Sequence, residues 1–140
     1  MEPRHLASAA KILEEIHYLT IATVCEDGQP WNSPVSATST DDLVFEWGSS
    51  PENVHSRNIR RDGRAFAVVY DSKAPEGTGE GIYMRGQAEE IGAENHAVNK
   101  YRFTPEEVWI NDEAKRGNGS YKHDIRVALD LEALRKALRA

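Results

Sequence analysis

At residues 19–25 the chain reads LTIATVC, a short run of branched and small apolar residues that gives way at once to Glu26, Asp27, Gly28 and Gln29. Such a run reads as a strand buried on both faces, and Asp-Gly is the strongest short-range hairpin signal. A second strand therefore returns beside the first, antiparallel and without a crossover. Asp41 and Asp42 make another turn before LVFEWG at residues 43–48, a third strand. Strands joined this tightly fit a βαβ sheet poorly and point to a closed, Greek-key-type barrel.

The second strand runs from about Trp31 to Thr40, and Pro30 and Pro34 place it at an edge, or bend it where something other than a strand meets its backbone. Ahead of the first strand, Leu6, Ala9, Ala10, Leu13 and Ile16 recur at helical spacing, which predicts an amphipathic helix over residues 6–19 that braces the sheet. After the third strand, Ser50 is a good N-cap and Pro51 a good first helical residue, so a short helix is expected through about Arg61. RAFAVVY (64–70) and GIYMRGQAEEI (81–91) read as strands, the latter with a bulge at Gly86, around a polar Gly-containing loop at 71–80. Helices are expected at Glu94–Tyr101 and Pro105–Lys115, with Thr104 and Glu107 forming a capping box for the second. A loop at 116–120, a last strand at 123–131 and a terminal helix marked by Leu131, Leu134 and Leu138 complete the reading. The expectation is one domain over residues 1–140: a mainly β, six-stranded split barrel with flanking helices.

The formal net charge is -6, so sequence-independent nucleic-acid binding, which needs clustered cations, is not expected. One basic cluster, Arg57, Arg60, Arg61 and Arg64, interrupts the acidic chain and suits a local anion site. Cys25 is the single cysteine, and no apolar run resembles a signal peptide or reaches membrane-spanning length; both predict a cytoplasmic protein with no membrane partner. His5, His17, His96 and His123 show no ligand spacing, so no metal is expected. Gly77, Gly79 and Gly81 precede no helix, which fails the context of a dinucleotide fingerprint. Trp109 is expected at a dimer contact, and Cys25 in packing.

The chemistry concentrates in Trp47, Gly48, Ser49, Ser50 and the helix after them. A loop of small hydroxyl residues entering a helix N-terminus offers unpaired backbone N–H groups and a partial positive charge, the elements of a phosphate site. His55 and Arg57, one turn on, add donors. The residues alone also allow a plainer account, in which Ser50 only caps the helix and the arginines are solvated. On the bent second strand, Asn32, Ser33, Pro34, Val35 and Ser36 cannot be fully paired across a proline, leaving backbone groups for a planar, hydrogen-bonding ring or for an ordinary edge.

The segments ATVCEDGQPWNSPV, LVFEWGSSPENVHSRNIRRDGRAFAVV and GIYMRGQAEE together resemble the pyridoxamine 5'-phosphate oxidase-like flavin-binding split-barrel family. The resemblance covers about residues 19–91 and implies a homodimer with FMN across its interface. It implies that Ser33, Pro34, Val35 and Ser36 line the flavin ring and that Ser49 and Ser50 meet the phosphate or ribityl chain. His55 stands where the family has a phosphate-binding lysine, with Arg57 close by. True pyridoxamine phosphate oxidases carry an arginine and a lysine on the second strand where this chain has Ser33 and Thr38, so that substrate is not expected. The resemblance implies a flavin-dependent oxidoreductase acting on an unidentified small molecule. The alternatives are an F420-dependent reductase, a non-catalytic flavin-binding protein, and a haem-binding or haem-degrading relative on the same barrel.

Overall fold

The computed structural model describes residues 3–75, 79–112 and 125–140; the loop read at 116–120, His123, Gly77 and the end of the helix expected to reach Lys115 lie outside them. The Asp-Gly signal acts as expected. Gly28 takes the left-handed conformation at φ 89°, its N–H donates to the Cys25 carbonyl at 2.8 Å, and the Asp27 carboxylate accepts from the Gln29 N–H at 3.0 Å. This turn joins β1 (Tyr18–Val24) to β2 (Pro30–Ser36), paired antiparallel from Tyr18↔Ser36 to Val24↔Pro30. β2 has no other neighbour among the described residues, so its prolines lie on an edge strand and remove no donor from the sheet interior.

The strand expected to continue to Thr40 breaks at Ala37. Its N–H turns back to the His17 carbonyl at 2.9 Å, and Thr38–Ser39 (β3) pairs instead with β4 (Phe45–Ser49). The turn between them holds Leu43 at φ 60°, costly for a branched side chain, with its side chain fully buried in the core. After β4 come α2 (Val54–Arg61), β5 (Arg64–Tyr70), β6 (Gly81–Ala93), β7 (Asn99–Asn111), β8 (Arg126–Leu129) and α3 (Leu131–Arg139), with α1 (Pro3–Glu15) at the start. The sheet runs β2-β1-β5-β6-β7-β4-β3, and β8 pairs the far half of β7. Eight strands thus replace the six read from sequence, because the second one is split and β7 replaces two helices.

The two ends of that path, β2 and β3, are separated in the chain by Ala37 alone. Strand ends one residue apart lie within about 8 Å, so the sheet has to curl back on itself. It does not close, because β2 and β3 do not pair; the result is a split barrel. Its inner face carries Leu19, Ile21, Ala67, Val69, Ile82, Met84, Tyr101 and Phe103, all buried. Ala9 and Leu13 of α1 and Leu134 of α3 pack against this core. Asp130 caps α3 by accepting from the Glu132 and Ala133 N–H groups. No helix among the described residues is long and apolar enough to cross a membrane.

The helices expected at Glu94–Tyr101 and Pro105–Lys115 are corrected by the structure. Residues 94–98 form the β6–β7 turn, where the Asn95 side chain accepts from the Ala97 and Val98 N–H groups at 2.8 and 3.0 Å. Residues 99–111 are strand. The register explains the misreading: Arg85 pairs with Glu107 but Gly86 with Pro105, so Glu106 is an extra residue in β7. Burial passes from Tyr101, Phe103 and Pro105 to Val108 and Ile110, and that slip places apolar residues at i, i+4 and i+7 as a helix would.

Gly86 makes the bulge sterically feasible. A Cβ there would meet the Thr104 carbonyl oxygen and come within 2.9 Å of Pro105 Cα, both backbone atoms that cannot swing aside. Gly86→Ala should therefore lower stability by about 1–3 kcal/mol, read as a lower denaturant midpoint at unchanged slope. An unaltered midpoint would show that the bulge has room to spare.

Candidate functional site

The helix α2 begins later than its sequence suggests. Ser50 to Asn53 form a turn in which Ser50 Oγ accepts from the Glu52 N–H at 3.2 Å and the Asn53 N–H donates to the Ser50 carbonyl at 3.2 Å. Pro51 serves that turn rather than the first helical position. The N-cap is Asn53, whose side chain makes no capping bond, so the first-turn N–H groups of α2 lack a side-chain acceptor of this kind. Ser50 therefore does not cap the helix.

Asn58 fastens α2 to β1. Its Nδ2 donates to Thr23 Oγ1 at 3.0 Å and lies 3.5 Å from Cys25 Sγ, while Arg61 donates to Asn58 Oδ1 at 3.0 Å and to the Val24 carbonyl. Arg60 reaches Glu90 Oε2 at 2.9 Å and the Pro51 carbonyl at 2.7 Å. Glu90 also accepts from the Tyr101 hydroxyl at 2.8 Å, which with Asn99 and Arg60 holds its carboxyl below the usual range. Arg64 binds Asp62 at 2.7 Å and, chiefly through these side-chain hydrogen bonds, lowers its carboxyl to about 2. Three of the four clustered arginines are thus engaged in holding the fold. Arg57 is exposed, and it lies two residues beyond His55 on an eight-residue helix, a spacing whose side chains do not share a face. The structure does not bring Arg57 and the His55 imidazole together.

What it does bring together is Ser49 and His55. His55 Nε2 lies 3.1 Å from Ser49 Oγ, across the gap between the end of β4 and the start of α2. His55 is buried, and burial lowers its pKa from 6.5, keeping the imidazole neutral at pH 7. β7 pairs all five residues of β4, but on the other edge β3 reaches only Phe45 and Glu46. Trp47, Gly48 and Ser49 therefore present an edge that no strand covers among the described residues. The Trp47 indole points inward, 3% exposed and stacked on Tyr101 at 6.0 Å. Gly48 leaves space for Glu94 and Val98, which a Cβ would approach to 2.5 and 2.9 Å.

On β2, pairing with β1 sorts the candidate ring-lining residues onto two faces. Ser33 and Val35 stand opposite Ile21 and Leu19, on the inner side, and Val35 is buried. Pro34 and Ser36 stand opposite Thr20 and Tyr18, on the outer side. Ser33 Oγ accepts from Trp31 Nε1 at 3.1 Å. A single planar ligand can thus lie against Pro34 and Ser36 while meeting only the backbone of Ser33 and Val35.

Sequence reading missed the character of the outer face. Register aligns Thr20, Val68, Tyr83, Trp109 and Ala128 in one row across five strands. Phe66 stacks on Trp109 at 6.4 Å, and Arg126 lies 5.8 Å over the Tyr83 ring. Tyr18 and Tyr70 are 63% and 51% exposed. The signal was present in the out-facing positions of RAFAVVY and GIYMRGQ, which carry Phe66, Val68, Tyr70 and Tyr83 beside the polar Arg64, Arg85 and Gln87. Two clefts lie near these elements: one of about 450 Å³ beside Ala37 and one of about 460 Å³ over Phe66, Arg64 and Arg85. Neither is lined by Ser49, Ser50 or His55, which lie outside both.

Comparison with known proteins places these features in a family. No curated protein sequence matches the chain. Among solved structures, a haem-binding protein from Mycobacterium smegmatis superposes with a TM-score of 0.74 at 17% identity, covering 97% of this chain and 62% of its own. The chain thus spans about three fifths of that protein's length. A protein from Clostridium acetobutylicum related to general stress protein 26, of the pyridoxinephosphate oxidase family, gives 0.70 at 10% identity over 96% of this chain and 99% of its own. HutZ, the haem storage protein from Vibrio cholerae, gives 0.63 at 13% identity over 71% and 88%. At such identities the likeness is one of fold. The sequence model described as pyridoxamine 5'-phosphate oxidase matches residues 7–132, nearly the whole chain, and this protein belongs to that family.

Proposed function

We propose that the chain is an FMN-binding flavoprotein, a flavin-dependent oxidoreductase acting on a small molecule, whose cofactor site is completed by a second copy. The observation that carries this reading is the Ser49–His55 pair at an uncovered strand edge, beside a helix N-terminus whose cap side chain is unused. Hydroxyl and imidazole meet beside the first turn of α2, where a phosphate would be held, and the backbone of β2 and the outer side of Pro34 and Ser36 offer a seat for a flat ring. When bound, the flavin supplies hydride and electron transfer; the chain binds and orients it. The deazaflavin F420 suits the site less, since its acidic tail would find Arg57 but not Arg60, Arg61 or Arg64 at liberty.

The outer face supports the second copy. A row of aromatic and aliphatic side chains across five strands exceeds what a solvated sheet face usually shows. Arg85 is ion-paired with Glu107 on that same face, and a face carrying both signs can meet its own copy across a two-fold axis.

A second reading, haem binding, draws on the two haem-associated proteins of the same fold. Reconstitution with FMN or haem distinguishes them by oxidised-flavin bands or a Soret band, and NAD(P)H turnover with FMN separates an enzyme from a carrier.

His55→Ala should weaken FMN binding by about 1–3 kcal/mol and leave riboflavin, which has no phosphate, unaffected; equal losses for both would remove His55 from the phosphate site. A phosphate dianion beside His55 favours the imidazolium that burial disfavours in the free protein. Binding then takes up a proton, so FMN affinity should rise as pH falls from 8 toward 6.5, with riboflavin flat. The copy-to-copy face is checked by sedimentation: wild-type chain should be dimeric and Val68→Glu monomeric, with weaker FMN binding. A wild-type monomer at tens of micromolar would contradict the shared site.

A further inference from the structure

The cleft of about 450 Å³ lies where the sheet ends meet, between the C-terminal turns of α1 and α3 and the Ala37 bend. Its volume is within the range of small-molecule sites. The floor is apolar and buried: Leu13, Leu19, Phe45 and Val69. The rim is polar, with hydroxyls from Thr38, Ser39 and Thr40, the exposed His17, and two carboxylates, Glu14 and Asp41. Among the described residues no lysine or arginine lines it. The nearby arginines are turned elsewhere, Arg139 to the Asp42 carboxylate at 2.5 Å and Arg135 to the Asp42 carbonyl at 2.9 Å. Glu14 and Asp41 have no ion-pair partner among the described residues and stay exposed at the mouth.

We propose that this cleft is a ligand site for a small apolar molecule bearing a cationic group, and that it rejects phosphate esters and carboxylates. The geometry supplies both halves of the selectivity. Four buried apolar side chains line the floor, where a hydrocarbon or aromatic body gains by leaving water. Two carboxylates with no ion-pair partner among the described residues attract an ammonium and repel an anion. The cleft begins at Ala37 and Thr38, directly after Pro34 and Ser36.

The test uses three probes of one shape, 4-phenylbutylammonium, 4-phenylbutanol and 4-phenylbutyrate, titrated into the full chain by calorimetry at low salt, with and without FMN. The ammonium should bind about tenfold more tightly than the carboxylate, with the alcohol between, and salt should narrow the gap. In the surface double variant Glu14→Gln, Asp41→Asn the three affinities should converge on that of the alcohol. Thr38→Trp, at the exposed rim, should weaken all three by obstruction. Binding of the carboxylate as tightly as the ammonium, or no binding of any probe, would overturn the proposal. Retained ammonium selectivity in a chain that fails to bind FMN would uphold the cleft and overturn the flavin reading alone.

Discussion

The one-residue link at Ala37 governs this fold. A sheet that starts at β2 and finishes at β3 has its first and last strands tied by a single amino acid, so the intervening five strands have to bend round until those ends meet. Ala37 N–H is spent on His17 rather than on either strand, so the ends touch without pairing. Both the uncovered edge of β4 and the cleft beside Ala37 follow from this seam. On one side, β2 and β4 diverge and leave Trp47 to Ser49 uncovered for α2 to approach. On the other, α1 and α3 arch over the gap and leave the cavity floored by Leu19 and Phe45.

The arginines show how local chemistry limits function here. A sequence cluster of four would suggest a strongly positive anion site. Folding commits Arg60 to Glu90, Arg61 to the Val24 carbonyl and Asn58, and Arg64 to Asp62, so the cluster chiefly pins α2 across β1 and β6. Under the proposed function, an anion at Ser49 would meet a hydroxyl and a neutral imidazole, a milder pair than a lysine would provide.

Much of the barrel was legible because its strongest signals are local. Asp27-Gly28 dictates a turn through one left-handed glycine, and RAFAVVY and LTIATV form strands as read, though with one face buried and the other only half-buried rather than both buried. Gly86 was readable as a bulge because a glycine inside a strand has few other uses. The partner side of the same bulge was not readable: the extra Glu106 shifts alternation by one, and a phase slip in a strand imitates helical spacing. Ser50 and Pro51 are equally good for a turn and for a helix start, and the structure uses them for the turn. The Ser49–His55 contact spans six residues and could be anticipated; the cleft beneath α1 joins residues from both termini and could not.

β7 meets β6 along one edge and divides its other edge between β4, over residues 99–103, and β8, over residues 108–111. The irregularity at Glu106 falls in the gap between those two partners. Two segments from distant parts of the chain are thereby indexed to a single backbone, each with its own phase. Deleting Glu106 would restore even alternation yet rotate one of them inside out. Length variation in this protein is thus better tolerated in its turns than in this strand, whose residue count is itself a structural element.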